Sequence, residues 1–235
     1  MNKQTIDIVL PAYNPPAGWE DKVITNFHDL CTRHADIDFK LYIVSDGSTR
    51  GYGEEVTRRL EQAIPQLQIV NYSKNMGKGY GLRQGVSLCQ SDFTIYTDYD
   101  FPYTDASMQN VIGALQNNAD VVVAVRNKQY QHNLPPLRKF LSRSSHILNK
   151  FILGLKIKDT QGGLKGFNAK GREVFLSTTI NSFLFDTEFI YKASRKHLNV
   201  VAVDSAIKKG LAVSDMGFKV VKREFMNFLK IVFGK

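Results

Sequence analysis

Five apolar runs recur along the first 126 residues, and each of the first four is followed by a stretch with helical spacing. The runs are "IDIVLPAY", "FKLYIVSD", "LQIVNYS", "DFTIYTD" and "DVVVAVR". Between them the pattern predicts helices near 18–34, 52–64, 78–89 and 106–117. A strand that is apolar on both faces must be covered on both faces, and parallel neighbours need a crossover long enough to hold a helix. The alternation therefore predicts an α/β fold, with a mostly parallel central sheet and helices on both faces. No repeat, low-complexity tract or Pro/Ser-rich linker interrupts the 235 residues, so a single domain is expected.

In open sheets of this kind ligands bind beyond the carboxyl ends of the strands. Four polar clusters stand at those ends: Tyr13-Asn14, Ser45-Asp46-Gly47-Ser48, Asn75-Met76-Gly77-Lys78-Gly79 and Thr97-Asp98-Tyr99-Asp100. In an extended segment, positions two apart face the same way, so Asp98 and Asp100 are expected to aim at one point. Two carboxylates so close repel each other unless a cation neutralises them. Mg²⁺ or Mn²⁺ suits the pair, because each takes one or two protein carboxylates and fills its shell with water and phosphate oxygens. The competing reading is a polar loop in which one Asp caps the following helix. Asp46 in "SDGST" is likewise expected from turn chemistry alone; as a ligand, its carboxylate would accept hydrogen bonds from a nucleobase or ribose. "NMGKGYGLRQG" offers glycines for close approach of backbone to a ligand, with Lys78 and Arg83 available for phosphate. It is neither a Walker A loop nor a G-x-G-x-x-G fingerprint.

After Arg126 the alternation stops. "LPPLRKFLSRSSHILNKFILGLKIK" predicts a helix over 137–155, striped by Leu137, Phe140, Leu141, Leu148, Phe151, Ile152 and Leu155. A glycine turn, "DTQGGLKGF", precedes the helical "FDTEFIYKASRKH" and the strand "NVVAVDSAI". A terminal helix from Phe218 places Phe218, Val221, Phe225, Phe228, Leu229 and Val232 on one face. Charge divides the chain at the same place. The net charge is +9, but residues 1–125 carry 10 Lys/Arg against 15 Asp/Glu, and residues 126–235 carry 21 against 7. The second half thus faces something anionic, such as a phosphorylated ligand, a nucleic acid or a lipid surface, or else is simply a solvated basic face. No helix-turn-helix, RNA-binding sheet motif or zinc spacing supports a nucleic-acid partner. Cys31 and Cys89 form no metal or redox spacing, and "MNKQTIDIVL" shows no signal peptide, so a cytoplasmic chain with reduced thiols is expected. The longest apolar runs, about five residues, fall far short of the roughly 18 that span a bilayer.

"VLPAYN", "VSDGS", "NMGKGYGLRQG" and "DYD" together resemble the family 2 glycosyltransferases of the GT-A fold. Within that family, "DTQGGLKGF" followed by "FDTEF" is similar to the enzymes that charge dolichyl or polyprenyl phosphate with mannose or glucose. The six blocks occur in order over most of the chain. The resemblance implies one Rossmann-like GT-A domain: a nucleotide-sugar half over 1–125, an acceptor half over 126–217 and an amphipathic terminal helix over 218–235. It implies that Pro11, Tyr13 and Asp46 line the nucleoside pocket, that Lys78 lies near the diphosphate and that Asp98 and Asp100 hold the metal. Asp159, Gln161, Lys165, Asp186 and Glu188 would approach the sugar and the reacting centre. Three departures stand out: Ser45 replaces the first Asp of the common "DDGS", Phe101-Pro102-Tyr103 follows the metal aspartates, and "GGLKGF" replaces "CGFK" or "GFK".

The activity implied is inverting transfer of a hexose from a nucleotide-diphosphate sugar to a polyprenyl phosphate. Arg126, Arg138 and Arg143 would receive the acceptor phosphate at the inner face of the membrane, by peripheral contact or beside a separate anchoring partner. A second reading keeps the fold and takes a sugar hydroxyl of a glycan as acceptor, with Asp186 and then Asp159 as the base. A third is a nucleotide-sugar-binding module without catalysis. A sugar nucleotidyltransferase would be expected to carry a "GGxGTR"-like loop after its first strand, where this chain has "PAYNPPAG".

Overall fold

A computed structural model describes residues 3–126, 149, 151–157, 159–208 and 218–233, with side chains of the last segment from Arg223 onward. The first half is built as the alternation requires: β1 (Gln4–Ala12), α1 (Trp19–Arg33), β2 (Ile37–Asp46), α2 (Glu54–Ala63), β3 (Leu67–Tyr72), α3 (Lys78–Val86), β4 (Phe93–Tyr96), α4 (Asp105–Gln116) and β5 (Val121–Arg126). The second half adds β6 (Lys165–Asn168), α5 (Ala169–Leu176), α6 (Phe185–Arg195), β7 (Val200–Ser205) and α7 (Phe218–Phe233).

All described strands join one sheet of order β3-β2-β1-β4-β6-β5-β7. Its pairs are parallel except those of β6, which runs antiparallel between β4 and β5. Both faces are apolar. Ile6, Ile8 and Leu10 of β1 pack with Trp19, Phe27 and Leu115 on one side. Val9 packs with Leu82, Tyr96, Phe175 and Phe189 on the other. This is the period-two alternation of a strand buried twice. The strand order reverses at β1, which lies between β2 and β4, so the crevice at a topological switch point opens beyond the carboxyl ends of β1 and β4.

Several expectations need correction. The glycine turn 159–167 is a turn only in its first part, because Lys165 begins β6 and pairs with Tyr96 of β4. A four-residue strand with one glycine carries too little periodicity to show against its surroundings. The helix α5 was not anticipated; it starts where Asn168 caps it, its side chain accepting hydrogen bonds from Lys170 N and Gly171 N. The helix expected over 137–155 stops earlier: Asn149 and Phe151 are helical, whereas residues 152–157 are not. Gly154, at φ +65°, lies just beyond it, as suits a chain leaving a helix. Its apolar stripe is divided, with Leu153 and Leu155 buried but Phe151 and Ile152 exposed. Most of that helix lies outside the described residues, including Arg138, Arg143 and Lys150. In α7 the buried face is Phe228 and Ile231, while Phe225 of the expected stripe points outward.

Candidate active site

The crevice at the β1–β4 switch point holds the acidic segment. Asp98 to Phe101 form a hydrogen-bonded turn, Phe101 N to Asp98 O at 3.0 Å, rather than the extended stretch expected. Asp98 and Asp100 are therefore brought together by turn geometry, not by strand alternation. Lys78, the first residue of α3, donates to Asp98 Oδ1 at 2.5 Å. Burial alone would lower the Lys78 pKa, but Asp98, together with Asp186 and Asp100, outweighs it and raises the value. Burial and then the charge of Asp98 push the Asp100 pKa up. Lys22 and Lys78 pull the Asp100 value back only in part, so negative charge is incompletely offset at this mouth.

The glycine turn backs this site. A methyl group on Gly163 would lie 2.8 Å from Asp98 Oδ2, and one on Gly162 would lie 2.5 Å from the Ala124 carbonyl oxygen. Gly163 N donates to the Tyr103 hydroxyl at 2.7 Å, so the third residue of Phe101-Pro102-Tyr103 orders the turn. Only glycine lets this backbone run beside the acidic segment.

On the other flank, Pro11 sits near the end of β1 opposite Val44, and Tyr13 stands 54% exposed just beyond. The Asn14 side chain accepts hydrogen bonds from Thr49 N and Arg50 N, tying the end of β1 to the turn after β2. Asp46 is buried, and its carboxylate accepts from Met76 N at 2.7 Å, Gly77 N at 2.9 Å and Asn75 Nδ2 at 3.1 Å. It shapes the loop leading into α3. Two further sequence expectations shift here. The glycines around Lys78 face protein: methyl groups on Gly77 and Gly79 would each lie 2.5 Å from a carbonyl oxygen of the 180–181 segment. Arg83 is not presented to phosphate, because its guanidinium binds Thr178 Oγ1, Ile180 O and Asn181 Oδ1.

Deeper in the second half are two acids, each with its own cation. Asp159 makes a two-pronged pair with Arg126, Nε to Oδ2 at 2.7 Å and Nη2 to Oδ1 at 2.8 Å. Burial would raise the Asp159 pKa, but the guanidinium wins and holds it below the ordinary carboxylate range. A carboxylate held this way is a poor proton acceptor, which corrects its place as the second candidate base. Gln161 N leans on the same carboxylate at 3.3 Å. Lys165 is fully buried and donates to Asp186 Oδ1 at 2.6 Å and to Gly162 O at 2.5 Å. Burial lowers its pKa, against the pull of Asp186. The Tyr96 hydroxyl donates to the same Oδ1, and among the described residues no donor reaches Oδ2. Glu188 lies off this cluster, its carboxylate accepting from Thr179 N and Ile180 N.

The structure thus gathers Lys78, Asp98 and Asp100 at the mouth, and Lys165 with Asp186 and Arg126 with Asp159 further in. Sequence reasoning missed Tyr96 and Tyr103. Tyr96 was within reach, since it precedes Asp98 by two positions on a strand whose next face was already assigned. Tyr103 had no such signal. The metal-binding expectation fits the donor set. Among the described residues no cluster of three or more His, Cys, Asp or Glu side chains forms. What the mouth offers is hard carboxylate oxygen with uncompensated charge, which matches Mg²⁺ or Mn²⁺ completed by water and phosphate.

The model of glycosyl transferase family 2 matches residues 7–175. The chain is 26% identical over 209 residues to a dolichyl-phosphate beta-glucosyltransferase, ALG5C, of Trichomonas vaginalis, with 83% of this chain and 61% of that protein covered. It is 22% identical over 223 residues to polyprenol monophosphomannose synthase of Mycolicibacterium smegmatis, covering 89% and 80%. Among solved structures, glucosyl-3-phosphoglycerate synthase from Mycobacterium tuberculosis, crystallised with Mn²⁺, uridine diphosphate and phosphoglyceric acid, superposes with TM-score 0.65 at 15% identity, covering 97% of this chain and 78% of that one. That likeness bears on the fold, which is of the GT-A kind. The chain spans 61% of the length of the Trichomonas relative. With most of its length matched, from Asp7 in β1 to Phe175 in α5, the chain belongs to glycosyl transferase family 2.

Proposed function

We propose that the chain is an inverting hexosyltransferase that takes its sugar from a nucleotide diphosphate and passes it to a polyprenyl phosphate at the cytoplasmic face of a membrane. The observation that carries the reading is the pair Asp98 and Asp100 at the carboxyl end of β4, with Lys78 bonded to Asp98 and the Asp100 pKa still raised by burial and by Asp98. Residues 1–125 form the donor half. Pro11 and Tyr13 border the nucleoside, and Asp46 fixes the loop beneath it. Asp98 and Asp100 hold Mg²⁺ or Mn²⁺, which when bound supplies charge compensation for the diphosphate. Lys78, freed from Asp98, stabilises the charge that builds on the leaving group.

In the transfer, an oxygen of the acceptor phosphate forms the new bond to the anomeric carbon as the bond from that carbon to the diphosphate breaks. The electron pair leaves with the nucleoside diphosphate, and the anomeric configuration inverts. A phosphate acceptor is already anionic at neutral pH and needs no base. This suits a second half whose inner acids are bound to Arg126 and Lys165. Residues 126–217 form the acceptor half, with Arg126, Arg138 and Arg143 assigned to the acceptor phosphate for their charge. Among the described residues no helix is long and apolar enough to cross a membrane. Contact is peripheral, through the exposed Phe225, Met226 and Phe233 of α7 with Arg223 and Lys230, or through a separate anchoring protein.

One observation favours a second reading. Oδ2 of Asp186 has no donor among the described residues, which leaves it open to take a proton from a sugar hydroxyl. Radiolabelled nucleotide sugars supplied with Mn²⁺ and with both short-chain polyprenyl phosphate and a glycan acceptor separate the two. Lipid-extractable label, retained in Asp186→Asn within about tenfold, supports the phosphate acceptor. Label appearing only on glycan, and lost in Asp186→Asn, supports the hydroxyl.

A further inference from the structure

The segment 178–184 lies between α5 and α6 and touches both sides of the site. Toward α3, Gly79 N donates to Asn181 O at 2.8 Å, and Arg83 binds Ile180 O at 2.9 Å. The Gly79 contact fixes the first turn of the helix that begins with Lys78, and the Arg83 contact fixes the next. Toward α6, Glu188 reaches back to accept from Thr179 N and Ile180 N, and the segment runs directly into Phe185 and Asp186. One stretch of backbone therefore sets where both Lys78 and Asp186 start.

This stretch is also held from outside. Glu224 of α7 accepts, on the single oxygen Oε2, from Leu184 N at 3.0 Å and from Ser182 Oγ at 3.0 Å. Asn227, one turn further along α7, donates from Nδ2 to Ser182 Oγ at 2.6 Å. The Glu224 side chain is 14% exposed, and Phe228 and Ile231 on the same side of α7 are buried in the core that contains Leu184 and Phe185. Leu184 N lies at the start of α6, where helical amides have no partner within the helix. A carboxylate is the group best suited to satisfy it, and it also lies favourably against the helix dipole.

We propose that Glu224 is a positioning residue: from α7 it fixes the turn at 182–184 and, through it, the first turns of α3 and α6 that present Lys78 and Asp186. The fold requires α7 only to cover apolar surface, which Phe228 and Ile231 do. The polar seam of Glu224 and Asn227 adds a fixed register between α7 and the site. The effect on turnover rests on the hexosyl transfer proposed above; the effect on backbone protection does not.

The test is hydrogen exchange on the full chain without ligands, alongside steady-state kinetics, in wild type, Glu224→Ala, Glu224→Gln and Asn227→Ala. Glutamine keeps an acceptor oxygen for Leu184 N and Ser182 Oγ. The expected result in Glu224→Ala is exchange about tenfold faster in peptides covering both 76–82 and 182–188. The turnover number falls roughly 10- to 100-fold, donor KM stays within about threefold, and glutamine restores most of both effects. Asn227→Ala gives the same pattern more weakly and carries the test should Glu224→Ala fail to fold. Faster exchange confined to α7 and 182–184, with 76–82 at the wild-type rate, overturns the proposal. So does an unchanged turnover number in an active enzyme. A wild type that transfers no hexose yet shows the two-sided exchange pattern removes the functional reading and leaves the positioning intact.

Discussion

The two pairs of acids in this protein are solved in opposite ways. Asp159 and Asp186 are buried, and each is ion-paired within the chain, with Arg126 and with Lys165. Asp98 is paired with Lys78, while the Asp100 pKa is driven up by burial and by Asp98 despite Lys22 and Lys78. The difference separates what the chain needs in order to fold from what it leaves for a ligand. A balanced buried pair belongs to the architecture, and breaking it leaves a stranded charge. An unbalanced pair at a switch-point crevice costs stability until something cationic arrives.

Substitutions sharpen this contrast most directly at the mouth. Asp98→Asn and Asp100→Asn are expected to lower turnover by roughly 10³-fold, comparable to losing a principal electrostatic contact of a transition state. The unfolding midpoint of Asp100→Asn in urea should hold or rise, because a charge disfavoured by burial and by Asp98 is removed, whereas Asp98→Asn also gives up the Lys78 contact. Lys165→Met should do the reverse in kind. It strands Asp186 in the interior and costs about 3–5 kcal/mol of stability, read from the same urea titration. Were the mouth variants to lose that much stability and Lys165→Met none, the division between the two pairs would be broken.

Gly163→Ala tests whether the glycine turn serves the mouth. The added methyl would meet Asp98 Oδ2 at 2.8 Å, so the acidic turn must shift. Turnover should fall by about 10²-fold with only a modest change in melting temperature. The smallest effect is in pH. The folded-state pKa of Asp159 is depressed by Arg126, so this pair contributes stability that is present above the unfolded value near pH 4 and lost as pH falls through the folded one. Each unit of depression is worth about 1.4 kcal/mol. In Arg126→Met burial acts on Asp159 without the guanidinium, so the loss of stability between pH 5 and pH 3 should shrink. Urea midpoints across that range measure it.

The first half of the molecule was legible because its signal is long-range and repeated. Five apolar runs separated by helical stretches specify a covered parallel sheet whatever the individual residues do, and the polar residues at strand ends follow from topology. The second half was less so. The strand β6 has four residues, one of them Gly166, and is recruited between β4 and β5 by pairing partners far away in sequence. Lys165 consequently reads as a turn residue although it is the most buried cation near the site. The acidic pair was found by the wrong local geometry, an extended strand, and turned out to sit on a turn that closes at Phe101 with φ +45°. Arg83 and the glycines around Lys78 looked like a phosphate cradle because sequence displays donors and small residues but not which neighbour they face. Here they face the 178–181 segment.

Calorimetric titration of a nucleotide-diphosphate sugar, with and without Mn²⁺, into wild type and the Asp98→Ala/Asp100→Ala double variant, tests the division at its centre. The expected result is donor affinity that rises at least tenfold with Mn²⁺ in wild type and is indifferent to Mn²⁺ in the double variant. Equal donor affinity in all four titrations would contradict the assignment of the mouth pair to a metal-bridged diphosphate.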